Sequence, residues 1–232
     1  MSSPVWLSVP YGISLPDIGT VRPMVMKRYP HGVAGEFFFM KRAPAPRPTW
    51  VRTCAVEHES GRAIDSPVID DLPSLLWVIN LGCIDLNQWY ATCADVDRPD
   101  YVHFDLDAGV GATFAHVSES AVIVGAALES LGMKPLVKTS GSKGIHVYVP
   151  IARGPVQKAV WTFAKALAVE LASRHPVLMT SEYRVAKRPK RRVLVDYNQN
   201  AWGRTPLLAA RGRTALESFL AAPSKRSGRP GA

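Results

Sequence analysis

VHFDLDAG, residues 102–109, alternates apolar and polar side chains with the two-residue period of a β-strand. Val102, Phe104 and Leu106 fall on one face, and His103, Asp105 and Asp107 on the other. Two carboxylates on one face, roughly 7 Å apart at Cα after two strand rises, repel each other. The pattern calls for something positive between them.

Working outward, strands and long helices are mixed. RPMVMKRYPHGVAGEFFFMKR (22–42) reads as a strand, a turn at Pro30-His31-Gly32 and a second strand. Of the consecutive aromatics Phe37, Phe38 and Phe39, one or two are expected in the core. RAPAPRPTW (42–50) is a proline-rich loop. DDLPSLLWVINLGCI (70–84) carries Leu72, Leu75, Leu76 and Ile79 at helical spacing. ATFAHVSESAVIVGAALESLG (112–132) predicts an amphipathic helix ending near Gly132. KPLVKTS (134–140) and IHVYVPI (145–151) read as strands joined by SGSKG, with Ile145, Val147 and Val149 opposite His146 and Tyr148. GPVQKAVWTFAKALAVELASRH (154–175) predicts a helix with Pro155 in its first turn and a stripe of Val160, Phe163, Leu167 and Leu171. RRVLVDYN (191–198) is a strand ending at Asp196. The pattern is α+β: mixed or antiparallel central sheets flanked by helices, in one domain over residues 22–205. Residues 1–21 form an atypical N-terminal segment, and the basic, Gly- and Pro-rich tail from 206 to 232 reads as disordered.

The 232-residue chain has 28 Lys and Arg against 19 Asp and Glu, a net charge of +9 that favours an anionic partner such as nucleic acid or nucleotide. KRPKRR, Lys187–Arg192, holds five cations in six residues and is a candidate phosphate-facing rim. No apolar run approaches the roughly 20 residues that cross a bilayer, and no signal peptide is recognisable. Cys54, Cys83 and Cys93 are few and widely spaced, which argues against a disulfide framework or a zinc ribbon and fits a reducing cytoplasm.

Three pieces end at strand boundaries: FDLDAG, TSGSKGIH and VLVDYNQN. The first and third supply Asp105, Asp107 and Asp196, oxygen ligands of the kind that hold Mn²⁺ or Mg²⁺ in a two-metal site. The middle one supplies Ser140, Gly141, Ser142, Lys143 and Gly144, a short loop able to bring backbone N–H groups and a point charge to a triphosphate, with His146 on the strand that follows.

DRPDYVHFDLDAG (97–109), VKTSGSKGIHVYVPI (137–151) and RVLVDYNQNAWGRT (192–205) resemble the three motifs of the polymerase domain of bacterial ATP-dependent DNA ligase D, of the archaeo-eukaryotic primase superfamily. KRYPHGVAGEFFFMKRAPAPRPTW (27–50) is similar to that family's N-terminal block. The resemblance implies a primase-like catalytic core and a template-dependent nucleotidyltransferase that fills DNA ends or gaps in non-homologous end joining. It implies Mn²⁺ or Mg²⁺ as cofactor and NTP or dNTP as substrate. It implies a bacterial cytoplasmic, nucleoid-associated protein working beside a Ku-type end-binding protein and a separate ligase, as a monomer.

By the same resemblance Asp105, Asp107 and Asp196 hold metal, and Asp196 also orients the primer 3′-OH. Ser140, Gly141, Lys143 and His146 grip the triphosphate, with Asn87, Arg188 and Arg204 near the nucleotide. Lys27 and Arg28 match residues close to the active site, and Phe38 and Phe39 match aromatics that stack on template bases. The chain departs from the family pattern in three places. Asn87 stands where several relatives have histidine; residues before Arg22 do not resemble the lysine-bearing segment that binds a 5′-phosphate; and PLLAARGRTALESF replaces a tyrosine-serine-x-arginine strand after Thr205. These departures leave a truncated, catalytically weak DNA-end-binding module as the alternative. A haloacid-dehalogenase-like phosphatase is a remote one, since Gly109 stands where that family has Thr or Val.

Overall fold

The structure, a computed structural model, describes residues 21–57, 61–140 and 143–203. Strand β1 (Met24–Arg28) pairs antiparallel with β2 (Phe38–Met40) and with β5 (Cys83–Gln88), giving a three-stranded sheet in the order β2-β1-β5. A separate hairpin joins β3 (Thr53–Glu57) to β4 (Ala63–Pro67). The larger sheet has five strands in the order β7-β8-β6-β10-β9, comprising β6 (Tyr101–Ala108), β7 (Leu136–Thr139), β8 (Ile145–Pro150), β9 (Met179–Thr180) and β10 (Val193–Asp196). All its pairings are antiparallel except β9 with β10.

The expected alternation in β6 is present. Val102, Phe104 and Leu106 are fully buried beside Ile145, Val147 and Val149 of β8 and Val193 and Val195 of β10. Two helices cover this face, α2 (Phe114–Ser130) with Val117, Ala121, Val124 and Leu128, and α3 (Gln157–Arg174) with Val160, Ala164, Ala168 and Leu171. In α3 the closest approach is made by Ala164 and Ala168, and the expected Phe163 and Leu167 are only partly buried, because small side chains let the helix sit close to the sheet. Pro155 lies outside α3, whose N-cap is Val156.

Helix α1 (Leu72–Asn80) begins at Asp71, whose carboxylate accepts from Ser74 N at 2.8 Å, a side-chain cap strengthened by Pro73 in the first turn. It stops where Gly82 takes φ +78° and packs so close to Tyr29 that a Cβ would lie 2.7 Å from its carbonyl oxygen. The helix therefore ends before Cys83, and residues read from sequence as its last turn form β5. Its buried side is Ser74 and Val78, whereas Leu72, Leu76 and Ile79 are exposed, so three of the four residues of the expected stripe face outward.

Two further expectations are corrected. Phe37, Phe38 and Phe39 are all about half exposed, because β2 is the edge of its sheet and Met40 is its buried residue. Cys54 and Cys93 are joined as a disulfide with a Cα–Cα distance of 5.8 Å, tying β3 to the segment that leads into β6, while Cys83 is a buried free thiol. Their sequence separation of 39 hid this proximity. The disordered tail expected over 206–232 and most of the N-terminal segment lie outside the described residues. No helix among the described residues is long and apolar enough to cross a membrane.

Candidate active site

The side of the five-stranded sheet away from the two helices carries the polar half of the alternation. β6 lies between β8 and β10, so its side chains meet partners from both. Asp105 is opposite His146 on one side and Asp196 on the other, and His146 is in turn opposite Lys138 of β7. Lys138, His146, Asp105 and Asp196 thus form one row across four strands. Asp107 is one step along, on the same face as Asp105.

The glycine-serine turn lies against the carboxylates. Ser140 N–H donates to Gly144 O, and Gly144 N–H donates to Ser140 Oγ, both at 3.0 Å. A Cβ on Gly144 would lie 2.9 Å from Leu106 O, 3.1 Å from Ser140 Oγ and 3.3 Å from Asp107 Oδ1, so only glycine fits this approach. Lys143 projects beside it, exposed. Gly141 and Arg204, expected in the nucleotide site, lie outside the described residues.

The electrostatics are unfavourable without a counter-charge. Burial, then the charges of Asp107 and Asp196, push the Asp105 carboxyl up to about 8. Partial desolvation and Asp196 also raise Asp107, which Arg188 partly offsets. His146 Nε2 is 3.4 Å from Asp105 Oδ1, but burial and then Lys138 lower its pKa to about 4, so at neutral pH the imidazole brings no charge. Asp105 Oδ1 is left buried with no hydrogen-bond donor among the described residues.

Asp196 is held differently. Its Oδ1 accepts from the Tyr183 hydroxyl and from Asn198 N–H at 2.7 Å, and its Oδ2 from Gln199 Nε2 at 3.3 Å. Burial and the bond to Asp196 keep the Tyr183 phenol well above its ordinary pKa. Beyond the carboxylates, His146 Nδ1 lies 3.1 Å from the Tyr148 hydroxyl, whose ring stacks on His103 at 4.5 Å. His103 Nδ1 lies 3.0 Å from the Tyr90 hydroxyl, and its Nε2 is buried without a partner among the described residues.

Sequence reasoning missed Tyr183, Asn198, Gln199 and Lys138. The alternation of β7 holds a signal for Lys138. Tyr183 sits 13 residues before Asp196 in an irregular segment, where no periodicity marks it.

Arg188 is in this neighbourhood, though its donors serve the backbone. Nε donates to Glu182 O at 3.0 Å and Nη2 to Tyr183 O at 3.3 Å. The basic run closes against the loop after Asp107, with Gly109 N–H donating to Arg192 O and Arg191 N–H to Val110 O. It leaves Lys187, Lys190 and Arg191 exposed.

The remaining expected residues belong to the three-stranded sheet. Lys27 Nζ is 3.5 Å from Asp85 Oδ2 and 3.8 Å from the centroid of the Phe37 ring. Arg28 Nε donates to Leu81 O at 2.8 Å, with its guanidinium 5.9 Å from the Phe38 ring. Lys27 pairs with Phe39 and Arg28 with Phe38, so the two cation–aromatic pairs occupy opposite faces. Asn87, opposite Val25, is buried with Nδ2 lacking an acceptor among the described residues.

No group of three or more His, Cys, Asp or Glu among the described residues is closed into a metal cage. The donor set still suits a hard divalent cation: mutually repelling carboxylates on one face, one with a buried oxygen lacking a donor.

The chain is 32% identical over 204 residues to the multifunctional non-homologous end joining protein LigD of Mycolicibacterium smegmatis, covering 87% of this chain and 26% of that protein. It is 28% identical to the bifunctional non-homologous end joining protein LigD of Bacillus subtilis, covering 87% of this chain and 32% of the relative. The chain therefore spans about a quarter to a third of the length of these relatives. The polymerase domain of Mycobacterium tuberculosis Ligase D, solved in complex with DNA, superposes with a TM-score of 0.75 at 27% identity, over 89% of this chain and 80% of that one. The family described as the LigD primase-polymerase domain matches residues 14–226, and with an α+β fold of the same architecture the chain belongs to that family.

Proposed function

We propose that the chain is a template-dependent nucleotidyltransferase that adds nucleotides to DNA ends or gaps in non-homologous end joining. The observation that carries this reading is the meeting of Asp105, Asp107 and Asp196 on one face of the β6–β10 pair, with the Gly144 turn packed against Asp107. In this reading Asp105, Asp107 and Asp196 would hold Mn²⁺ or Mg²⁺, and Asp196 would also orient the primer 3′-OH. A metal held there would supply positive charge to offset the triphosphate and the departing pyrophosphate as the primer 3′-oxygen replaces pyrophosphate at the α-phosphorus. The protein contributes position and fixed charge. Lys143 and the turn around Ser140 and Gly141 take the triphosphate, and the neutral His146 offers Nε2 as a hydrogen-bonding group. Asn87, whose Nδ2 has no acceptor among the described residues, and, by the family resemblance, Arg204 would complete the nucleotide contacts.

The nucleic acid lies along exposed cations and aromatics. Phe38 and Phe39 offer stacking surfaces tolerant of any base, and Lys27 and Arg28 back them on opposite faces. The net charge of +9 supports a polyanionic partner. A Ku-type end-binding protein and a ligase activity are the partners this role requires.

A templated gap-filling assay with labelled rNTP and dNTP, in Mn²⁺ and in Mg²⁺, tests the reading. Incorporation that follows the template and requires the metal is expected. DNA binding with no incorporation in either metal, by a folded protein, would replace polymerisation with end recognition alone.

A further inference from the structure

We propose that Tyr183 is a positioning residue: its hydroxyl fixes the Asp196 carboxylate, and Arg188 holds Tyr183 in place by gripping the backbone that bears it. The inference rests on the reading of Asp196 as part of a metal-dependent site, and deepens it.

Asp196 is the last residue of β10, so the sheet orients its backbone but leaves its side-chain rotation unspecified. Three donors specify it. The Tyr183 hydroxyl and Asn198 N–H both donate to Oδ1, and that same N–H lies 2.8 Å from the Tyr183 oxygen, closing a triangle. Among the described residues Oδ2 receives only Gln199 Nε2, at 3.3 Å. One oxygen is thus committed to the protein, and the other retains the lone pairs a cation or a primer hydroxyl would use.

Tyr183 itself lies where no helix or strand supports it. Its ring meets Tyr197 edge-on at 5.1 Å and 85°, and its carbonyl accepts Arg188 Nη2 while the preceding carbonyl accepts Arg188 Nε. Arg188 therefore reaches the site through main chain as well as through its charge. A ligand carboxylate held by an outer hydrogen bond loses about 10–100-fold in metal affinity or activity when that bond is removed.

The test uses the full chain and its Tyr183→Phe variant, which keeps the ring and its packing. Mn²⁺ binding is followed by the loss of the free-ion electron paramagnetic resonance signal, and incorporation is measured across Mn²⁺ concentrations. The expected result is about a tenfold weaker Mn²⁺ affinity and a lower kcat, with KM for the primer–template unchanged. In an Asp196→Ala background the same substitution should add nothing to the Mn²⁺ defect, because Tyr183 acts through that carboxylate.

Mn²⁺ affinity and kcat equal to wild type would overturn the proposal. So would a loss that adds to that of Asp196→Ala, or a drop in melting temperature with an activity loss unchanged by Mn²⁺ concentration. If Tyr183→Phe weakens Mn²⁺ binding while even the wild type incorporates no nucleotide, positioning stands and the polymerase reading falls.

Discussion

Asp105 and Asp196 face each other across the antiparallel β6–β10 pair, although 91 residues separate them in the chain (196 − 105). Asp105, Asp107 and Asp196 stand on strands whose opposite faces are fully buried, so their backbone positions are fixed relative to one another, and the Asp196 carboxylate is further oriented by Tyr183, Asn198 and Gln199. Replacing Asp107 with Ala should therefore abolish nucleotide incorporation, by at least about a hundredfold as for loss of one transition-state electrostatic group, while DNA binding persists. Incorporation by Asp107→Ala near the wild-type rate, measured with labelled nucleotide, would remove this residue from the mechanism.

The raised pKa of Asp105 has a stability consequence with a definite sign. A carboxyl whose folded pKa exceeds its unfolded value of 3.8 costs nothing in acid and destabilises increasingly as pH rises toward about 8. In the absence of divalent metal, Asp105→Asn should raise the melting temperature at pH 7.5, by about 2–4 °C for each kcal/mol of repulsion relieved, and the gain should vanish near pH 4. Adding Mn²⁺ should stabilise the wild type and not the variant. Thermal melts at the two pH values, with and without metal, measure both effects.

Gly144 leaves no room for a side chain beside Leu106 O and Asp107 Oδ1. Gly144→Ala must displace either the strand carbonyl or the carboxylate. Its expected signature is a raised KM for nucleoside triphosphate together with a lower kcat, at a stability cost of about 1–3 kcal/mol for a crowded site. Steady-state kinetics at saturating primer, beside a denaturant melt, check this.

Phe38 and Phe39 are exposed, and their removal should barely change folding stability, within about 0.5 kcal/mol. If they stack on bases, each Ala variant should weaken single-stranded DNA binding by about 1–3 kcal/mol. Because they lie on opposite faces of β2, the two losses need not be equal, and fluorescence anisotropy with a labelled overhang ranks them.

Cys83 is fully buried, and burial pushes its thiol up to about 11. At pH 8 only about one thiol in a thousand would be ionised. The native protein should resist alkylation, and unfolding without reductant should release one reactive thiol, with Cys54 and Cys93 appearing only after reduction. Mass spectrometry of alkylated protein counts them.

Much of the catalytic half was legible because burial imposes periodicity. The alternation in 102–107 fixed which face the aspartates share, and the aliphatic strands around 145–149 and 193–195 named their own core residues. The N-terminal half was less legible. AIDSP lacks a consistent apolar side and TCAVE alternates through only two buried residues, Cys54 and Val56, so the β3–β4 hairpin left little signal. The apolar residues of α1 at 72, 76 and 79 keep helical spacing while facing outward, so periodicity identified the helix and mistook its buried side. At the site, strand-borne groups such as His146 were readable. Tyr183 was not, because an irregular segment carries it and a single tertiary hydrogen bond defines its role.

The ladder between β6 and β10 continues past both strands, through Gly109 N–H to Arg192 O and Arg191 N–H to Val110 O. This pins the frame of Val193–Asp196 from its upstream side. A single residue inserted between Arg192 and Asp196 would rotate the terminal carboxylate to the helix-covered surface. An extra residue between Pro189 and Lys190, past Arg188 and before the strand, would leave the register of Val193–Asp196 unchanged. The short strand Val193–Asp196 thus acts as a fixed-length spacer between the basic turn and its terminal carboxylate.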